Sequence, residues 1–287
     1  MGDKPSLTGA EGDRMAKERI LITVKTYPTL SKKYGETVCT AGVREDGSWV
    51  RLYPVPFRRL EETEQYSKYD WIELDLVRNT SDCRPESYRP YDPKAMPVVG
   101  HIGTEDQWRE RRKLVLETCT VYHRLQPLLD GAKANDLSLA VFKPAKIVEF
   151  VVEECEREWD EAKVVIMRNQ AAQGELFEED AWRQTFKLMP KLPYTFSYRF
   201  EDADGRRSTL QVLDWEAGQL FWRCMKRHGN DESLAVQKVR QKYMDQLLKT
   251  DLHFYLGTMQ QFHGFSPNPW VIIGVFCAPY RNQMDLF

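Results

Sequence analysis

The sequence predicts an α+β fold: a mixed, mainly antiparallel sheet or small barrel with helices packed on it, in two halves that each carry a β-hairpin and a helix. Three observations lead there. Short apolar runs rich in β-branched and aromatic residues recur along the chain. Two pairs of such runs are closed by turn sequences, REDGS and DADGR. Helical periods come in runs and not in strict alternation with strands. A chain of 287 residues buries a sound core as one large domain or two modest ones. We divide it into a tail (1–19), a β-rich N-terminal domain with one long helix (20–155) and a C-terminal α+β domain (156–287).

The tail, MGDKPSLTGAEGDRMAKER, is polar and lacks the apolar centre of a secretory signal, so disorder is expected there. Ile20–Lys25 (ILITVK) reads as the first strand, and Tyr27–Tyr34, with its Pro and Lys residues, as a loop. Glu36–Arg59 (ETVCTAGVREDGSWVRLYPVPFRR) reads as a hairpin, and Trp71–Val77 as an alternating strand. The next segment, RNTSDCRPESYRPYDPKAMP, reads as loop throughout. Trp108, Leu114, Leu116, Val121, Leu125 and Leu128 recur at three- and four-residue steps, predicting a helix over Glu105–Leu129 that Pro127 ends or kinks. Ser138–Phe142 and Ala145–Glu153 read as strands, and Trp159–Gln173 as a helix. Tyr194–Phe200 and Thr209–Leu213 form the second hairpin. Asp214 then caps a helix running to His228, Ser233–Lys249 is another helix, and LHFYLGT and PWVIIGVFC are the last strands.

Several function classes drop out. No apolar run approaches the roughly 20 residues that span a bilayer, so no membrane role is expected. The six cysteines (39, 83, 119, 155, 224, 277) are scattered with no C-x-x-C pair, which excludes a zinc ribbon and suits reduced thiols in the cytoplasm. Nucleotide-binding glycine motifs, HExxH and GxSxG are absent, and the histidines stand alone in sequence, so no cofactor and no metal is expected. The net charge of -2 speaks against nonspecific coating of DNA but leaves room for a local basic face.

Basic and aromatic residues are interleaved in two places. Trp49, Arg51, Tyr53, Phe57, Arg58 and Arg59 form one group, and Arg78, Arg84, Tyr88, Arg89 and Tyr91 the other. Arg109–Lys113 (RERRK), with Arg109 and Arg112, adds a basic stretch on the expected helix. Guanidinium forks bind phosphates and aromatic faces stack on bases, so this mixture suits a flipped or single-stranded nucleic acid. Arg and Tyr filling half-buried loops beside local Asp and Glu is the competing account. Asp214 and Glu216 follow a strand directly, where a carboxylate serves either as a helix cap or as a general acid or base; Asp251 in TDLHFYLGT is a third such candidate.

Cys39 is the candidate nucleophile, and its face depends on one residue of hairpin register. If Asp46-Gly47 is a two-residue turn, Ala41 pairs with Leu52 and Cys39 joins the apolar core. If Glu45-Asp46-Gly47 is a three-residue loop with Gly47 left-handed, Ala41 pairs with Arg51. Val38, Thr40, Val50 and Leu52 then line the core, and Cys39 stands with Trp49, Arg51 and Tyr53, where a guanidinium favours the thiolate. Both loops suit the residues.

The segments KTYPTLSKKYGETVCTAGV…WVRLYPVPFR, PYTFSYRF…LDWE and DLHFYLGT…WVIIGVF together resemble a bacterial family of mobile DNA-modification and defence clusters. The resemblance covers most of the chain after the tail. One activity in such clusters is hydrolysis of 7-cyano-7-deazaguanine in DNA to the amide. It implies a nitrile hydrolase with Cys39 as thiol nucleophile, Asp214, Glu216 or Asp251 as acid or base, and DNA or a modified nucleobase as partner alongside other modification proteins. The alternative is a noncatalytic module that binds modified or single-stranded nucleic acid through the Arg/Tyr loops.

Overall fold

Strand β1 (Lys17–Lys25) pairs antiparallel with β3 (Gly35–Val43) along one edge and with β5 (Asp70–Arg78) along the other. The computed structural model describes residues 17–31, 35–55, 57, 65–92, 95–165 and 188–280. β3 continues antiparallel into β4 (Trp49–Val55), β4 pairs parallel with β6 (Ser87–Pro90), and β6 returns antiparallel to β5. The ring β1-β3-β4-β6-β5 is thereby closed, and a closed sheet leaves no unpaired edge between its members. Period-two alternation turns Ile20, Ile22, Val38, Val50, Leu52, Ile72, Leu74 and Leu76 into the barrel interior, where they form one apolar cluster. The short strands β2 (Thr29–Ser31) and β7 (Val98–His101) extend the sheet from β3 and β5.

The barrel's outer face is apolar too, because a second body covers it. Helix α1 (Glu105–Arg112) runs into a wider turn at Lys113–Thr118, then come β8 (Val121–Tyr122), α2 (Gln126–Ala134), β9 (Leu139–Phe142) and β10 (Lys146–Glu154). After β11 (Tyr194–Glu201) and β12 (Arg207–Gln211) follow α3 (Trp215–Arg227), α4 (Glu232–Arg240), β13 (Asp251–Thr258) and β14 (Trp270–Ala278). One sheet has the order β14-β13-β9-β8 and another the order β10-β11-β12. Leu21, Val24, Ala41 and Val43 of the barrel share a buried cluster with Val141, Tyr255, Ile273 and Phe276. A third cluster, with Phe150, Phe196, Tyr198, Phe200 and Phe254, lies under α2, α3 and α4. The class is α+β. No helix among the described residues is long and apolar enough to cross a membrane.

Several elements differ from expectation. The helix expected over Glu105–Leu129 is broken: Asp106, Gln107 and Trp108 have positive φ, and Cys119 is extended at φ -77, ψ 151. Its apolar residues serve two cores, Leu114 and Val115 one and Leu125 and Leu128 another, which one straight helix face could not reach. Ser87–Pro90, read as loop, is the strand that closes the barrel, and Thr29–Ser31 is a strand inside the expected loop at Tyr27–Tyr34. β9 and β10, assigned above to the N-terminal domain, pair with β13 and β11. Lys17–Arg19, assigned to the tail, already belong to β1, while 1–16 lie outside the described residues. Of the helix expected over Trp159–Gln173, 161–165 are helical and 166–173 lie outside them.

Candidate active site

The register of the β3–β4 hairpin decides where Cys39 stands. Val43 pairs with Trp49 and Ala41 with Arg51, the register of the three-residue loop. Gly47 has φ +81, a left-handed conformation in which a Cβ is strained, and its N–H donates to Arg44 O at 3.0 Å. Asp46 Oδ1 accepts from Ser48 N at 2.9 Å and steadies the turn. Val38, Val50 and Leu52 face the barrel interior. The pairing shifts between Val38 and Thr40, so Cys39 sits at an irregularity in β3, on the outer side. Its N–H donates to Thr26 Oγ1 at 3.1 Å and its carbonyl accepts from Thr26 N at 3.0 Å.

Arg51 stands behind the sulfur. Its Nη1 donates to Cys39 Sγ at 3.6 Å, and its Nη2 donates to both Ser138 O at 2.9 Å and Ser138 Oγ at 3.0 Å. Arg51 is 1% exposed and its Nε has no partner among the described residues, whereas Cys39 is half-buried. A buried charge is normally paired with an opposite one, and among the described residues no carboxylate touches this guanidinium. Burial and the neighbouring Arg84 both push Arg51 toward its neutral form, while Cys39 and Asp82 pull the other way. Ser138 is anchored in turn, donating through Oγ to Glu86 Oε2 at 2.5 Å and through N to Oε1 at 2.9 Å.

Arg84, next to this group, is satisfied differently. Its Nε and Nη2 fork onto Asp82 at 2.8 and 2.5 Å, and its Nη1 donates to Thr258 O at 2.5 Å. The fork and the Ser87 hydroxyl hold the Asp82 carboxyl below the usual range against its burial. Thr258 Oγ1 meets His263 Nδ1 at 3.0 Å, and His263 Nε2 meets Asn135 Oδ1 at 2.8 Å. Burial lowers the His263 pKa, and Arg84 and Arg51 lower it further.

On the other side of Cys39, Thr26 forms an antiparallel bridge with Asp214. Asp214 caps α3, its Oδ1 accepting from Glu216 N at 3.3 Å and from Lys68 Nζ at 3.0 Å. Tyr243 OH lies 3.4 Å from Oδ2. Burial raises the Asp214 carboxyl although Lys68 opposes it, and the nearby carboxylates raise Lys68. Glu216 is more open, 3.4 Å from the same Lys68. Lys25, at the end of β1, donates to Tyr66 O at 3.0 Å and lies 4.3 Å from the Phe57 ring centre, with Trp215 at 5.9 Å. Burial and Lys68 push its pKa down to about 8.

A family model for a domain of unknown function, DUF8757, matches residues 121–287, more than half of the chain. The chain belongs to the DUF8757 family. A second domain of unknown function, DUF8758, matches residues 16–117. No curated protein matches the chain. The polar cluster therefore lies between the two matched segments: Cys39, Arg51, Arg84 and Glu86 come from the DUF8758 segment, and Asn135, Ser138, Asp214, Thr258 and His263 from the DUF8757 segment.

The other sequence candidates are dispersed. Asp251 starts β13, at the end opposite Thr258 and about 23 Å from it along the strand. Its carboxylate takes Lys143 Nζ at 2.7 Å and Arg112 Nη1 at 2.9 Å, an ion triad apart from Cys39. Arg109 is exposed beside Asp106 and Glu110, and Arg89 is exposed on β6. Trp49 packs edge-on to Tyr255 with ring centres 6.0 Å apart, Tyr53 is half-buried, and Arg58 lies outside the described residues. Among the described residues no three His, Cys, Asp or Glu side chains are grouped to hold a metal. Ser138, Glu86, Lys25 and Lys68 carried no role in the sequence reading, and His263 stood there only as one of the isolated histidines. The only signal for Lys25 and Ser138 was a polar residue at the end of an apolar run, ILITVK and SLAVF.

Proposed function

We propose that this protein is a thiol-dependent hydrolase with Cys39 as nucleophile, acting on the nitrile of a 7-cyano-7-deazaguanine base in DNA and releasing the amide. The observation that carries the thiol chemistry is Arg51, a sealed cation with its Nη1 on a half-open sulfur and no carboxylate on its guanidinium among the described residues. A guanidinium in that place donates to the sulfur and stands as a counter-charge beside a nucleophile. The substrate rests on the family resemblance of the sequence, and a free thiol nucleophile suits the reducing cytoplasm.

The reaction balances without an oxidant or a cofactor. The Cys39 thiolate adds to the nitrile carbon, one C–N π bond opens, and the nitrogen takes a proton to give a thioimidate. Water then adds to the same carbon as the second C–N π bond opens; one of its protons passes to the nitrogen and the other returns to the group that supplied the first. Collapse breaks the C–S bond, returns the thiolate and leaves the amide. Asp214 is the proton donor of choice among the three carboxylates, because burial raises it and Thr26 joins it to Cys39. A noncatalytic nucleic-acid module has less support, since Arg51, Arg84 and Arg112 are all buried in internal contacts. The test is nucleoside mass spectrometry of DNA carrying the nitrile base after incubation with the protein. Wild type should gain the mass of one water on that base, and Cys39→Ala should leave it unchanged while keeping the native circular dichroism. Turnover by Cys39→Ala would refute the mechanism.

A further inference from the structure

Two buried arginines stand side by side in the seam and meet their charge differently. Arg84 forks onto Asp82 through Nε and Nη2, the geometry an arginine adopts with a free carboxylate. Arg51's main-chain N–H donates to Glu86 O at 2.7 Å, but its guanidinium is linked to the Glu86 carboxylate through Ser138 Oγ. Ser138 is interposed. It gives Glu86 its N–H and its hydroxyl proton, and it offers Arg51 its carbonyl and the hydroxyl lone pair. One small residue thus occupies both charged neighbours with hydrogen bonds of the matching sense, and Nη1 is left for Cys39 Sγ.

We infer that Ser138 is a positioning residue that holds the Arg51 guanidinium on the Cys39 sulfur and off the Glu86 carboxylate. This rests on the reading of Cys39 as a nucleophile. Without the hydroxyl, the lowest-energy partner for Arg51 is the Glu86 carboxylate itself, because a bidentate ion pair exceeds a guanidinium–thiol contact. The guanidinium then turns from the sulfur and the thiolate loses its counter-charge. Among the described residues Arg84, Asp82, His263 and Tyr66 also act on Arg51 or Cys39, and none of these is bonded to Ser138.

The test measures the thiol and not the hydrolysis. The whole protein is labelled with iodoacetamide over a range of pH, and modification of the Cys39 peptide is followed by mass spectrometry, which separates it from the other cysteines. Ser138→Ala should label about tenfold more slowly at about pH 7, with the gap narrowing by about pH 10, above the range of an ordinary accessible thiol. Ser138→Thr keeps the hydroxyl and should label like wild type. Ser138→Ala with Glu86→Gln removes the competing carboxylate and should recover most of the rate. An unchanged pH profile in folded Ser138→Ala overturns the inference. Should Ser138→Ala not fold, Arg51→Met takes its place: slower labelling at neutral pH supports the placing of the guanidinium, and wild-type labelling overturns it. A shifted profile in a protein inert toward the nitrile would keep this inference and reject only the substrate.

Discussion

Lys25 carries a measurable stability cost. An unfolded lysine titrates near 10.4, and in the fold burial among Phe57, Tyr66 and Trp215, with Lys68 close by, brings Lys25 to about 8. The sign follows from proton linkage. Above about pH 11 both states hold the neutral amine and the fold is not penalised. As pH falls toward 8 the unfolded chain binds the proton first, so stability drops; below 8 both states are charged and the cost stays constant. A depression of roughly 2 units corresponds to about 3 kcal/mol as an upper figure, reduced by the water Lys25 still contacts. Lys25→Met removes the titration. Its stability relative to wild type should therefore be more favourable at about pH 7 than at about pH 11, by about 1–3 kcal/mol. Taking the difference between the two pH values cancels the lost bond to the Tyr66 carbonyl and the change in packing. Urea denaturation of both proteins at each pH gives the number. A Lys25→Met effect independent of pH would refute the claim that this amine is held against its preferred charge.

Two further substitutions test the frame of the site. A Cβ on Gly42 would stand 2.3 Å from Leu21 O, a backbone atom of the paired strand, so Gly42→Ala should cost about 2–4 kcal/mol and lower the thermal midpoint. Asp251→Ala strands the buried Arg112 beside Lys143 and should cost about 3 kcal/mol in urea, while the Cys39 labelling rate stays at the wild-type value. Arg112 and Lys143 hold the Asp251 carboxyl below its usual range, so the stabilisation is complete above about pH 4 and fades as pH falls further. The gap between wild type and Asp251→Ala should close in acid; an undiminished gap at about pH 2 would contradict the assignment.

What the sequence disclosed was local. The strands at Ile20–Lys25, Trp71–Val77, Tyr194–Phe200 and the two C-terminal runs were legible because alternation and β-branched content are properties of adjacent residues. The cap at Asp214 was legible for the same reason. Register was legible only as a pair of alternatives, since EDG suits both loops; the choice came from a bulge and from contacts with Ser138, far away in sequence. Ser87–Pro90 could not be seen, because four residues carry no period and the strand exists only through its two partners. Which of the two accounts of the arginines applies was not legible. Arg51, Arg84 and Arg112 find acceptors 87, 174 and 139 residues on, and no composition count separates an interior arginine from one that waits for a phosphate.

The seam ties these observations together. The DUF8758 and DUF8757 segments meet between residues 117 and 121, yet one apolar cluster crosses from Leu21, Val24, Ala41 and Val43 to Val141, Tyr255, Ile273 and Phe276. Either segment alone would present that face to water, so apolar burial favours their association but allows many relative placements. The polar groups along the same seam do not. Arg51 finds its acceptors on Ser138, Arg84 finds one on Thr258, and Lys68 finds Asp214. A slip of one segment on the other would leave a guanidinium or an ammonium buried without them, at several kcal/mol each. Burial thus holds the segments together and the hydrogen bonds select one register. That register brings Ser138 to Arg51 and Asp214 to Thr26, with Cys39 between them, so the chemistry proposed for Cys39 exists only where both segments are present.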